Sequence, residues 1–212
     1  LTIVRKYPDK KLGIMVRGCD ERALVELAKN QKILPELVKR VGVACTKELA
    51  ASCRCSQPFP EEIFYGEKVA PVEDRSDIEA IDAMPQEERF DYWMGEFSRC
   101  IKCYGCRNIC SMCFCDQCTL EDNDLVATGQ APPAIPIFHL IRAFHMAGRC
   151  IDCGLCEEAC PAHIPLRTLY RKVRESMSGF LGYVSGTEGG EKDPLEFLGS
   201  EGYMVPSKID EK

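Results

Sequence analysis

The chain has 212 residues, 45% of them apolar and 28% charged, with a net charge of −6; this suits one large or two small domains around a modest core. No stretch approaches the roughly 18 apolar residues of a membrane helix and the start shows no basic-then-apolar pattern, so no membrane insertion and a cytoplasmic home are expected. The charge is uneven, with 11 Lys+Arg against 6 Asp+Glu in residues 1–50 and 16 against 27 beyond; the acidic majority excludes nucleic acid as a partner, and the two faces are either simply solvated or docked on different subunits.

In chain order, the run Leu12–Val16, the turn Arg17-Gly-Cys-Asp20, a helical pattern from Arg22 to Gln31 and a second apolar run Val41–Ala44 read as a βαβ-like piece. Asp20 is the expected N-cap, with Ala23, Leu24 and Leu27 on the inner face. Residues 52–76 carry Pro58, Pro60, Gly66 and Pro71 and read as an irregular surface linker. Pro85-Gln-Glu-Glu opens a helix with Phe90, Trp93, Met94 and Phe97 on its stripe. A second helix is expected over 136–146 with Ile137, Leu140, Ile141 and Phe144 inward. A third is expected over 165–177 with Leu166, Leu169, Tyr170 and Val173 inward. The tail beyond Gly179 reads as extended and acidic, tied down only on a partner. The expected fold class is α+β: a small α/β part (1–51), an irregular linker with extra cysteines (52–84), a mostly helical cysteine-rich domain (85–180) and an extended tail (181–212).

Fifteen cysteines, an odd number, cannot all pair as internal disulfides, and without a secretory signal their density points to metal ligation. Cys100-Ile-Lys-Cys103-Tyr-Gly-Cys106-Arg-Asn-Ile-Cys110 and Cys150-Ile-Asp-Cys153-Gly-Leu-Cys156-Glu-Glu-Ala-Cys160-Pro161 are two copies of C-x2-C-x2-C-x3-C. Three closely spaced thiolates wrap one face of a 4Fe-4S cubane, and the fourth reaches the other cluster. Cys100, Cys103, Cys106 and Cys160 are therefore assigned to one cluster, and Cys110, Cys150, Cys153 and Cys156 to the other. Paired zinc sites, the rival reading, call for separated C-x2-C pairs and not triplets.

Seven cysteines remain: Cys19, Cys45, Cys53, Cys55, Cys113, Cys115 and Cys118. Cys115 and Cys118 form a C-x2-C pair, and Cys45, Cys53, Cys55 and Cys113 can complete a third site, which is a third 4Fe-4S cluster, a structural zinc or a set of buried free thiols. Tyr104 and Phe114 read as packing that shields the clusters, and His139, His145 and His163 as core or surface residues. Lys102 and Arg107 near one cluster, against Asp152, Glu157 and Glu158 near the other, predict that the cluster at Cys100 is the easier to reduce.

The two motifs resemble those of bacterial two-cluster ferredoxins. The helix before each motif resembles the α-helical ferredoxin domain of succinate dehydrogenase and heterodisulfide reductase iron-sulfur subunits, over residues 86–180. Ser111 departs from the proline that usually follows the fourth cysteine. Together with "RGCDERALVELAKNQ", "VGVAC" and "FSRCIKCYGCRNICSMCFCDQC", the chain resembles proteins akin to the β subunits of deazaflavin-dependent hydrogenases and formate dehydrogenases. That resemblance implies an electron-transfer subunit of an anaerobic oxidoreductase, bound to flavin-containing, heterodisulfide-reductase-like or formate-dehydrogenase-like partners. No nucleophile with acid and base and no phosphate-binding glycine motif is present. The rival function is a reductase subunit whose N-terminal part binds flavin (FAD) at the turn after Val16 and exchanges hydride with a soluble cofactor; a metal-stapled scaffold without redox activity is a third.

Overall fold

The structure, a computed structural model, describes residues 1–115, 117–121, 135–189 and 193–197. After a short helix α1 (Thr2–Lys6), the apolar run Leu12–Val16 forms strand β1, and Val38–Gly42 forms β2 beside it in parallel, Leu12 opposite Val38 and Val16 opposite Gly42. Parallel neighbours need a crossover, and helix α2 (Gly18–Lys29) provides it. This helix starts at Gly18, ahead of the expected Arg22, so Asp20 is not the N-cap. Its carboxylate lies inside the first turn and accepts from the Arg17 amide and from Arg17 Nε, both at 3.0 Å, closing a box that satisfies a donor at the helix start.

Helix α3 (Lys47–Ser52) is capped by Thr46, whose Oγ1 accepts from Leu49 N at 3.2 Å. The segment after it is irregular but is no loose linker. Pro58 and Pro60 are buried, the Cys45 amide donates to Pro58 O at 2.9 Å and the Ala44 amide to Tyr65 O at 2.9 Å, and Val43 pairs with Tyr65 in a parallel bridge along β2. Helix α4 (Ser76–Asp82) lies within the stretch expected to be irregular.

Helix α5 (Gln86–Ser98) begins just after Pro85, which is its N-cap and stands outside the first turn. Phe97 is buried and Trp93 and Met94 half-buried, but Phe90, expected on the same stripe, faces solvent. Helix α7 (Ile135–Met146), which follows the short α6 (Gly105–Asn108), turns three of the four residues expected inward to solvent and half-buries the fourth, Ile141. Ile135, Phe138, His139, Arg142, Ala143 and Met146 point inward, whereas Ile137, Leu140 and Phe144 are 50%, 68% and 56% exposed. Spacing of three and four residues is kept by the inner set, but two of its members are polar, and this hid the stripe. After the short α8 (Leu155–Glu158), helix α9 (Leu166–Leu181) buries Leu166, Tyr170 and Met177 and half-buries Leu169 and Val173, as its pattern predicts.

The chain after α9 is not a free tail over its described part. Tyr183 and Ser185 are buried. The Tyr183 hydroxyl donates to the Glu26 carboxylate at 3.0 Å and the Gly186 amide donates to it at 2.7 Å, with Lys29 Nζ at 3.4 Å. Glu26, on α2, is 0% exposed, and these donors are what make a buried carboxylate tolerable. The tail beyond residue 197 lies outside the described residues. A single apolar cluster unites Ala23, Leu27 and Ile33 with Phe97, Phe138, Ile151, Leu166 and Tyr170. The α/β part and the helical part thus share one interior, and buried Arg22 ties them further by donating from Nε to Ile151 O at 3.1 Å.

Candidate metal centre

The two cysteine motifs fold as near copies. In each, the chain turns sharply on both sides of the second cysteine, with positive φ at Lys102 (50°) and Tyr104 (60°) and again at Asp152 (54°) and Gly154 (77°). Left-handed conformations at non-glycine residues cost of order 1–3 kcal/mol each and persist where the surroundings enforce them; here they aim successive thiols to one side. A single helical turn follows, α6 or α8. The fourth cysteine amide then donates to the carbonyl three residues back, Cys110 to Arg107 at 3.2 Å and Cys160 to Glu157 at 3.0 Å. The turn beyond it is also shared: the Cys113 amide donates to Cys110 O at 3.1 Å and His163 to Cys160 O at 3.0 Å. Ser111 therefore adopts the turn that Pro161 adopts in the second copy.

The copies press against each other at α6 and α8. A Cβ on Gly105 would stand 2.9 Å from Ala159 O and 3.5 Å from Cys103 Sγ, so glycine is what lets the Cys160 arm reach the first loop. Electrostatically, Cys106 feels the thiols of Cys100, Cys160 and Cys103, Cys156 feels those of Cys150, Cys153 and Cys106, and Cys110 feels Cys150 and is hydrogen-bonded to Cys113. The close approach of Gly105 to Ala159 O sets the Cys160 arm against the first loop, and Cys110 Sγ lies 3.9 Å from Sδ of Met146, whose carbonyl accepts from the Cys150 amide at 2.9 Å.

Thiol chemistry at these positions suits a metal better than solvent. Burial pushes the Cys106 and Cys150 thiols up to about 11 and raises those of Cys100 and Cys153, while Cys156 is raised further by burial and by the charge of Cys150. Such thiols hold their protons at neutral pH unless a cation of high charge density displaces them. Backbone amides also point at sulfur: Lys102 N donates to Cys100 Sγ at 3.4 Å, and Asp152 N does the same for Cys150. Amide bonds of this kind are one of the levers on a cluster's potential. Among the described residues no three Cys, His, Asp or Glu donors converge on the position of a single ion. A cubane spreads its four thiolates over four separate irons, and both quartets are open in that sense.

Arg142, 2% exposed, is the buried cation of the site, and the motif-based reading overlooked it. Its Nη2 donates to Cys106 O at 2.7 Å and its Nη1 to Cys113 Sγ at 2.9 Å, and its guanidinium lies 5.3 Å from the Tyr170 ring centroid. Burial opposes its charge, but Tyr170 and the thiols of Cys113, Cys106 and Cys110 outweigh burial and keep it protonated. It lies among members of both quartets. Of the other expected charges, Arg107 pairs with Glu121 at 2.5 Å, Asp152 with Arg167 at 2.7 Å and Glu157 with Arg54 at 3.7 Å, while Lys102, in the first motif, is buried as well.

His139 is a core residue, 1% exposed and stacked on Phe97 with centroids 4.4 Å apart. Neither ring nitrogen has a hydrogen-bond partner among the described residues. Burial, with help from Arg142, lowers its pKa to about 4, so the ring is neutral. Phe114 is buried between Lys32 and Arg149, and Tyr104 packs edge-on against Phe138.

The six cysteines expected to share a third site fall into two neighbourhoods. Cys113, Cys115 and Cys118 line a cavity of about 40 Å³ with Arg107, Arg142, His145 and Arg149. Cys45 instead has Cys55 and Cys53 beside it.

Residues 144–165, spanning the second motif, match the 4Fe-4S binding domain family. The chain is similar to the F420-dependent formate dehydrogenase subunit beta of Methanocaldococcus jannaschii, 43% identical over 96 residues that make up 45% of this chain and 25% of the relative. It is likewise similar to the F420-dependent formate dehydrogenase 1 subunit beta of Methanococcus maripaludis, 41% identical over 105 residues, 48% of this chain and 27% of the relative. The matched segments thus span about a quarter of the length of these relatives. With the motif geometry, these similarities make the chain an iron-sulfur protein of the 4Fe-4S type.

Proposed function

We propose that this 4Fe-4S protein is a non-catalytic electron-transfer subunit of an anaerobic, cytoplasmic oxidoreductase complex, passing single electrons between a formate-dehydrogenase-like or hydrogenase-like partner and a second subunit. The observation that supports the reading is the pair of matching cysteine motifs packed against each other, where Gly105 of the first meets the carbonyl of Ala159, beside Cys160, of the second. Crossed arms set two clusters side by side, the arrangement a relay requires. Each bound cubane supplies a reversible one-electron couple. The chain's residues fix where those couples sit. The quartets Cys100, Cys103, Cys106, Cys160 and Cys110, Cys150, Cys153, Cys156 hold the clusters, Phe138 and Met146 help exclude water, and Arg142 provides positive charge to both.

The flavin alternative places a phosphate at the start of α2. A Cβ on Gly18 would stand 2.2 Å from Gln57 O and 2.7 Å from Phe59 O. Two carbonyl oxygens so placed repel an anion from this end of the helix, which favours the relay. Iron and sulfide assays on the anaerobically purified chain are expected to give at least about eight of each, with no flavin absorbance, and the dithionite-reduced protein should show 4Fe-4S EPR signals. Cys103→Ala and Cys153→Ala should each stop electron transfer in a complex that still assembles. Undiminished turnover by the assembled variants would refute the relay.

A further inference from the structure

Cys19, Cys45, Cys53 and Cys55 stand outside both ferredoxin motifs, and the topology sets Cys19 and Cys45 at the same end of the two-stranded sheet. Strands β1 and β2 are parallel with Val16 opposite Gly42, and the Val43 amide donates to Val16 O at 2.8 Å, which extends the pairing. Three residues beyond Val16 comes Cys19, and three beyond Gly42 comes Cys45, so both leave the same end of the sheet. That end, where parallel strands finish, is where folds of this kind hold ligands.

The loop carrying the other two cysteines lies against this end. The Cys45 amide donates to Pro58 O at 2.9 Å. The carbonyls of Gln57 and Phe59 approach Gly18 so closely that no side chain fits there, beside Cys19. Cys53 ends helix α3, and the chain then reverses through Arg54, whose φ is 42°. Cys55 follows, its amide returning to Ala50 O at 3.0 Å. The turn resembles those at Lys102 and Asp152 in the ferredoxin loops. All four cysteines are partly sheltered. Arg17 has both Cys19 and Cys45 among the negative groups that support its charge, and Cys55 and Cys53 act electrostatically on the Cys45 thiol.

This cluster of thiols also abuts the second ferredoxin motif. Arg167 donates to the carbonyls of Cys53 and Arg54 and, from Nε, to Asp152 Oδ1 at 2.7 Å. Asp152 is flanked by Ile151, whose carbonyl receives Arg22, and by Cys153, whose charge acts on the Cys19 thiol.

We propose that Cys19, Cys45, Cys53 and Cys55 ligate a third 4Fe-4S cluster, built by the α/β part at the end of its parallel strands and set next to the cluster of Cys150, Cys153 and Cys156. Four thiolates suit a cubane, and Arg17, Arg22, Arg54 and Arg167 around them offset the negative charge of the cluster and its ligands. The inference rests on the relay reading above and lengthens it, giving the N-terminal part an electron entry or exit point. Cys113, Cys115 and Cys118 are then left to a separate role.

The test compares the full-length chain with Cys55→Ser and Cys45→Ser, purified anaerobically, by iron, sulfide and zinc content and by EPR of the reduced proteins. Each variant is expected to lose about four irons and four sulfides per chain and the associated EPR signal, while keeping the roughly eight irons of the ferredoxin quartets. The retained eight irons report a folded chain. Unchanged iron in both variants, or loss of one zinc and no iron, overturns the third cluster and leaves the relay intact. A wild-type chain without the quartets' iron would overturn the relay itself.

Discussion

Arg142 places a single positive charge among thiolates of both quartets, and removing it should lower both cluster potentials. Reduction adds an electron to a cluster, and a nearby cation stabilises the reduced form. A unit charge about 4 Å from another interacts by about 4 kcal/mol at an effective dielectric constant of about 20. With about 59 mV equal to about 1.4 kcal/mol for one electron, the ceiling is about 170 mV. Delocalisation of the added electron over a cubane reduces this, and a fall of about 50–100 mV at each cluster is expected for Arg142→Gln. Glutamine removes the charge but leaves an amide donor beside the Cys106 carbonyl, which Arg142 now bonds at 2.7 Å; an orphaned carbonyl would add about 1–3 kcal/mol of destabilisation. The assay is an EPR-monitored redox titration, with iron content measured alongside to establish that the clusters are retained. Arg142→Lys should recover most of the shift. Midpoints that stay within about 20 mV of wild type, or that rise, would refute the assignment of Arg142 as the shared electrostatic lever.

Two further perturbations probe the frame around the site. The pKa of His139 is lowered to about 4 in the folded state from an ordinary 6.5, so as pH falls the unfolded chain takes up its proton first. This contribution to stability is full above about pH 7.5 and is lost through 6.5 toward 4, amounting to about 2 kcal/mol by pH 5. Denaturation of wild type and His139→Phe at pH 7.5 and pH 5 should show the wild type losing about that much more, and parallel losses would count against it. Tyr183→Phe removes a buried hydroxyl that donates to the Glu26 carboxylate at 3.0 Å. It should cost about 2 kcal/mol and speed proteolysis within residues 182–189; an unaltered melting curve and cleavage pattern would mean that the segment is held by other contacts.

The cysteine spacing alone made the two matching motif loops legible, because three thiols at fixed short intervals allow few alternatives. Strand β1 and helix α9 were legible for the same kind of reason: each has a clean apolar pattern on one face. Helix α7 was misread because apolarity was taken as the guide to its inner face. Its buried stripe includes Arg142, which serves the thiolates, and His139, which stacks on Phe97, while its outer face keeps Ile137, Leu140 and Phe144. No single-position hydropathy reveals a side chain buried for its charge. The start of α2 was misplaced because Asp20 is as good a residue for the first turn as for the cap, and only the Arg17 amide decides between them. The grouping of Cys45, Cys53 and Cys55 apart from Cys113, Cys115 and Cys118 depends on which end of a parallel sheet each segment meets, a long-range property that local pattern does not encode.

Two of the donors to Glu26, Tyr183 and the Gly186 amide, lie 157 and 160 residues further along the chain. Until those residues are synthesised, α2 must keep that carboxylate in water, and its inner face cannot settle onto the helical part without stranding a charge. Helix α2 is therefore barred from completing its packing until that segment emerges, in contrast to a domain that matures as it is made. Iron delivery to the nascent chain would meet open cysteine loops until the last turn after α9 closes the interior.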